Sequence, residues 1–148
     1  MKLPRHPLPI SNADFHHLGV AVPDLSRALA DYASIFGYVQ SSGPFDDPIQ
    51  KVSVCFIEHP QGKLPVLELI APIGEDSPVK RLLKSGGGAY HICYSVADIE
   101  QTLVEVRGKG CLVISGPVPA VAFEGRRIAW FYTPARQLVE VVERETKS

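Results

Sequence analysis

Residues 17–29, HLGVAVPDLSRAL, are written again at residues 91–103, HICYSVADIEQTL, and this duplication constrains the fold more than any other feature of the chain. The offset is a constant 74, with His17/His91, Val22/Val96, Asp24/Asp98 and Leu29/Leu103 identical. A repeat of this kind means one supersecondary unit used twice. Both copies follow one pattern: a strand of alternating residues, an Asp, then a helical stretch. Leu25, Ala28, Leu29, Tyr32 and Phe36 in the first copy, and Ile99, Thr102, Leu103 and Val106 in the second, recur at helical spacing. Asp24 and Asp98 are the natural N-caps. Glycine ends each helix, Gly37 in the first copy and Gly108 or Gly110 in the second.

Strand-like runs follow each helix. In the first half they cover 51–58 and 65–71, split by the turn signal HPQGK at 59–63; in the second they cover 111–114, 127–132 and 138–143. Each half reads β-α-β-β-β. Between them Asp76-Ser77-Pro78 opens a short helix with a cap and a proline, Val79, Leu82 and Leu83 form its apolar side, Lys80, Arg81 and Lys84 its solvated side, and Gly86 to Gly88 end it. The expected organisation is a tail over 1–13, a first module over 14–72, a connector helix and glycine-rich loop over 73–88, a second module over 89–143 and a tail over 144–148. The fold class is α+β, with tandem modules forming a cleft of mixed, mainly antiparallel sheet.

A chain of 148 residues buries roughly 68–70% of its unfolded surface, so it folds without a structural metal or disulfides, and any metal it holds serves function. Fifteen basic and sixteen acidic residues give a net charge of −1 with no run of like charges, which argues against nucleic acid and membrane partners. The expected partner is a small molecule. Cys55, Cys93 and Cys111 have no C-x-x-C spacing and read as reduced, buried thiols. The first residues lack the apolar core of a secretory signal, and no apolar stretch is long enough for a membrane span, so the expected location is cytoplasmic.

The repeat carries matched polar residues. His17 begins the first module and Glu68 stands in its last strand; His91 and Glu140 take the same places in the second. Alternation turns Leu18, Val20 and Val22 toward the helix and puts His17 beside the small residues Gly19 and Ala21. In the second copy His91 shares its face with Ala89, Cys93 and Ser95, opposite Ile92, Tyr94 and Val96. Glu68 and Glu140 lie in strands apolar on both faces, where an ionised carboxylate must be paired or bound to a cation. Two imidazoles and two carboxylates suit a divalent ion such as Zn, Ni, Co, Fe, Mn or Mg, with positions left open for substrate. His16 is expected on the helix side, and His6 and His59 are expected to be solvated.

These features resemble the vicinal oxygen chelate superfamily, which includes glyoxalase I, extradiol dioxygenases, bleomycin-resistance proteins and methylmalonyl-CoA epimerase. The resemblance spans 14–143 and is most specific in ELIAPIGEDSP followed by GGGAYHICYSV, features similar to the epimerase branch. It implies a glyoxalase-like fold, a homodimer, metal ligands at His17, Glu68, His91 and Glu140, and a catalytic base at Glu140. It also implies a metal-dependent isomerase or lyase that abstracts a proton beside a carbonyl, with an acyl-CoA substrate. A glyoxalase I-type lyase and a non-catalytic, resistance-type binding protein are the alternatives. Arg126 and Arg127 are candidates to meet a substrate carboxylate or phosphate, or else form an exposed turn pair. The epimerases' P-E-Q-G-V motif reads Pro48-Ile49-Gln50-Lys51-Val52, so Ile49 replaces one of their two proton-transfer carboxylates.

Overall fold

A computed structural model of the chain describes residues 9–10 and 12–145. Strand β1 (Asp14–Ala21) leads into helix α1 (Leu25–Phe36), then β2 (Val39–Asp47), β3 (Val52–Glu58) and β4 (Leu67–Pro72). After helix α2 (Val79–Lys84), the second half repeats the order as β5 (Gly88–Val96), α3 (Ile99–Gly108), β6 (Leu112–Pro119), β7 (Arg127–Tyr132) and β8 (Leu138–Glu143), with a 3-10 turn at Val121–Phe123. All eight strands form one sheet in the order β2-β3-β4-β1-β5-β8-β7-β6. The order is a palindrome of the repeat: β1 pairs parallel with β4, β5 parallel with β8, and the halves join through the antiparallel pair β1–β5. The remaining pairs are antiparallel, as the mixed sheet requires.

Local chemistry explains the helices. The Asp24 carboxylate accepts from the Arg27 amide at 2.8 Å, and Asp98 accepts from Gln101 at 3.0 Å. Gly37 ends α1 in the left-handed region at φ 77°. Each helix covers the outer face of its half: Val20, Val22 and Leu69 meet α1 through Ala28, Leu25, Leu29 and Tyr32, while Val96, Val139 and Val141 meet α3 through Ile99, Leu103 and Val106. Burying a Leu or Ile such as fully enclosed Leu69 or Ile99 is worth about 1.5–3 kcal/mol. Phe36 departs from its expected inward position. It sits 53% exposed at the end of α1, touching only the edge of the core through Tyr32.

Two strands differ from the sequence reading. The β-α-β-β-β pattern requires a third strand after α1 that no apolar run in the sequence locates; it is β2, whose stretch Val39-Gln40-Ser41-Ser42-Gly43-Pro44-Phe45-Asp46-Asp47 has no apolar alternation and forms an edge strand because β3 offers it a ladder. Its counterpart β6 runs on from the expected 111–114 to Pro119. Both contain the tripeptide Ser-Gly-Pro, at 42–44 and 115–117, a second trace of the duplication. The connector helix also differs at its start: no side chain caps it, and Asp76 instead pairs with Lys51 across the cleft edge.

Candidate metal centre and cavity

The sheet register brings His17, Glu68, His91 and Glu140 together. Glu68, Gly19 and His91 lie side by side across β4, β1 and β5, and His17, Cys93 and Glu140 lie side by side across β1, β5 and β8. The second row is the first turned about the pseudo-two-fold axis. Gly19 is needed here: a Cβ on it would stand 1.9 Å from the His91 ring.

All four side chains are buried, at 0%, 5%, 2% and 2% exposure in sequence order. The Nε2 atoms of His17 and His91 are 3.3 Å apart. His17 Nε2 lies 3.6 Å from Glu68 and 3.3 Å from Glu140, and His91 Nε2 lies 3.7 Å and 3.5 Å from the same carboxylates. One donor atom from each of the four side chains thus lies within 4.8 Å of the others, close enough for all four to share one divalent ion. Charge points the same way. Burial alone disfavours a charged His17, yet contacts with Glu140 and Glu68 raise it to about 9, so one imidazolium faces two carboxylates. Burial likewise opposes ionisation of Glu140, but His17 and His91 hold it well below the usual carboxylate range. Among the described residues His91 Nδ1 and Glu140 Oε1 have no hydrogen-bond partner, the carboxylate oxygen facing the two imidazoles at 3.3 and 3.5 Å. A divalent cation would neutralise both carboxylates, and the four donors fit it.

His16 lies on the cleft side, contrary to the expectation from alternation. A register shift between Phe15 and His17 bulges the strand and turns the ring inward against Phe56 and Phe123. Burial, then the neighbouring His17 and Arg126, lower His16 to about 4. Its Nδ1 lies 2.8 Å from His17 Nδ1, a ring-to-ring contact that holds the His17 ring with Nε2 facing the quartet. A second shift, between Gly19 and Val20, accompanies Tyr90, the repeat counterpart of His16, whose ring meets the His91 ring edge-on at 4.6 Å. Period-two reading cannot foresee a bulge. The sole sequence trace is the paired aromatic ring immediately before each histidine.

The quartet opens on a cavity of about 510 Å3 between the curled halves. Val54, Ile70, Ile128 and Trp130 give it apolar walls, Glu68 and Glu140 its floor, and Asp47, Tyr90 and Arg81 further polar groups. Arg81 is exposed, as expected of the solvated side of α2, and borders the cavity. Lys80 pairs with Glu75 at 2.7 Å, and Lys84 is exposed. Arg127 is outside this cavity, held by Glu143 and Glu100 at 3.1 and 3.0 Å. Arg126 lines a smaller hollow of about 270 Å3 with His16 and Glu58, its guanidinium 5.6 Å from the Phe123 ring centre. Ile49 is 82% exposed and does not line the main cavity. Cys93, beside Glu140, keeps its proton because burial and the nearby carboxylates push its thiol well up; all three cysteines are free, and Cys111 is only half-buried. His59 packs edge-on against Tyr38 at 6.1 Å rather than standing in solvent, and His6 lies outside the described residues.

Comparison with known proteins agrees with this architecture. The sequence profile of the glyoxalase/bleomycin resistance protein/dioxygenase superfamily matches residues 16–130. An ethylmalonyl-CoA/methylmalonyl-CoA epimerase of Cereibacter sphaeroides is 34% identical over 79% of this chain and 86% of its own length. The mitochondrial methylmalonyl-CoA epimerase of Bos taurus is 34% identical over 68% of this chain, which spans 56% of that protein. The crystal structure of methylmalonyl-CoA epimerase from Mycobacterium tuberculosis superimposes with a TM-score of 0.80 and 25% identity, covering 95% of each chain. The palindromic sheet and the matched profile establish that the chain belongs to the glyoxalase/bleomycin resistance/dioxygenase superfamily, the vicinal oxygen chelate proteins, with methylmalonyl-CoA epimerases among its relatives.

Proposed function

We propose that the chain is a metal-dependent isomerase that epimerises 2-carboxyacyl-CoA thioesters of the methylmalonyl-CoA kind. The observation that carries this reading is the buried quartet of His17, Glu68, His91 and Glu140 opening on an apolar cavity. The relatives named above as epimerases support the choice of substrate. In this reading the four residues hold a divalent ion, which when bound supplies Lewis-acid chemistry to a pair of vicinal substrate oxygens.

The chain's own groups then divide the work. Glu140, ionised and set in the cavity floor, takes the proton from the carbon beside the thioester carbonyl, and the electron pair passes into the carbonyl as an enolate. Glu68 stays in place as an anchor. His16 fixes the His17 ring through the Nδ1 contact. Val54, Ile70, Ile128 and Trp130 keep the reacting carbon against hydrocarbon rather than water, where the fixed charges act more strongly. The edges of β2 and β6, which pair with no further strand among the described residues, carry Val39 and Leu112 at 51% and 64% exposure and favour assembly of two copies.

The test is elemental analysis of untagged protein, then methylmalonyl-CoA with that ion in deuterated water. Deuterium should enter the α-carbon at a rate that Glu140→Ala abolishes; exchange no faster than this control would reject the reading. A second reading, one-base isomerisation of a glyoxalase I-type hemithioacetal, draws on the position of Ile49 outside the cavity. Turnover of that adduct without exchange of methylmalonyl-CoA would select it.

A further inference from the structure

Moving a proton from one face of a carbon to the other requires a proton-transfer group on each side. Glu140, on the β8 wall, serves one face, and Ile49 provides no acid or base for the other. We propose that Asp47, on the β2 wall, is the second proton-transfer carboxylate, a role that rests on the epimerase reading above.

Asp47 is the last residue of β2 and is only 8% exposed, while its neighbour Asp46 points to solvent. Its register partner Val52 lines the cavity, and so does Asp47 itself. Three carboxylates line that cavity: Glu68 and Glu140 belong to the quartet, and Asp47 is the third. β2 and β8 lie in opposite halves of the sheet, so Asp47 and Glu140 approach the cavity from opposite walls. The carboxylate is also held in one orientation. Its Oδ1 accepts the Ile49 and Gln50 amides at 3.0 Å each, and among the described residues no hydrogen bond or ion pair reaches Oδ2. The fold does not demand a carboxylate at this place. Counting from the two Ser-Gly-Pro tripeptides, the counterpart of Asp47 in the second half is Ala120, which is buried and lines the same cavity. Tyr90 is no substitute, because burial and the charges of Glu68 and Glu140 push its phenol well up, leaving it a neutral donor.

The two carboxylates complete a balanced cycle. Glu140 takes the α-proton, breaking C–H and forming O–H, and the electron pair moves to the carbonyl. Protonated Asp47 then gives its proton to the opposite face, breaking O–H and forming C–H while the carbonyl is restored. The opposite epimer runs the same steps in reverse, and exchange with water resets both groups.

Asp47→Asn separates this role from a structural one, because the amide oxygen still accepts both backbone N–H groups and keeps the turn. With (2R)- and (2S)-methylmalonyl-CoA in deuterated water, the variant should lose about 10²–10⁴-fold in epimerisation. It should retain its metal content and still exchange the α-proton of one epimer near the wild-type rate. Epimerisation within threefold of wild type would overturn the role of Asp47 alone. Equal slowing of exchange in both epimers would also overturn it. Wild-type protein that exchanges neither epimer would reject the epimerase reading and this inference with it. Should Asp47→Asn fail to melt cooperatively, Asp47→Ser, whose hydroxyl also accepts from the turn, takes its place under the same criteria.

Discussion

Gly19 shows how much of the centre depends on a single missing atom. The His91 ring occupies the space a side chain would fill at that position, with its nearest atom 1.9 Å from an ideal Cβ. Gly19→Ala should expel the ring and lower metal affinity at least 100-fold while leaving the β1–β4 and β1–β5 ladders intact; calorimetric titration of the divalent ion checks this, and wild-type affinity would refute it. The quartet also sets a pH dependence. Free of metal, His17 is raised to about 9 from an ordinary value of 6.5, so its contribution to stability is complete below 6.5 and disappears as pH climbs through 9. Glu140 is depressed, so its contribution is present above 4.5 and fades as pH falls toward 2. Chelator-treated protein should therefore melt at a higher temperature near about pH 5.5 than near about pH 9. With the ion bound, both imidazoles must be neutral, so the order reverses and added metal should raise Tm most at the alkaline end. Thermal melts with and without chelator decide it, and a chelated protein equally stable at both pH values would contradict the assignment.

The edge strands show what a repeat demands of backbone rather than side chains. Gly43 and Gly116 occupy matching positions in β2 and β6 at φ 93° and 97°, a region closed to most residues. Each also presses on a neighbouring strand. A Cβ at Gly116 would stand 2.5 Å from the Ile128 carbonyl oxygen, and one at Gly43 would stand 2.9 Å from that of Val54. Gly116→Ala should cost at least about 1–3 kcal/mol from backbone strain alone, with the contact adding to it. Urea unfolding measures this, and a loss below about 0.5 kcal/mol would show that the strand re-registers freely. The bulges in β1–β5 matter for a different reason: they bring His16 and Tyr90 to the cleft face beside the histidines that alternation already placed there.

At the scale of the molecule, the two half-sheets are hydrogen-bonded through β1–β5 and meet again where Phe123 of the 3-10 turn packs on Phe56 of β3, so the cavity is a product of their joining. No helix is long and apolar enough to cross a membrane among the described residues. The proposed pairing of copies through the apolar edges gives a plain expectation: light scattering should return twice the 16.1 kDa of one chain. Leu112→Lys should shift it toward one, because a buried charge without a partner would outweigh the lost hydrocarbon contact. A wild-type mass of one chain at micromolar concentration would exclude the dimer.

The duplicated segment, the Asp caps and the apolar faces of α1 and α3 were legible because each is a local pattern with a local cause: amide capping, helical spacing and strand alternation. The matched positions of His17, Glu68, His91 and Glu140 were legible for the same reason, since a repeat keeps its register. Tertiary structure alone decided the rest. β2 exists because β3 offers a ladder to a stretch with no pattern of its own, and the bulges that turn His16 and Tyr90 inward depend on how two distant strands register. Asp47 lines the cavity and Ile49 does not because the curl of the sheet, a property of all eight strands together, decides which part of a turn faces inward.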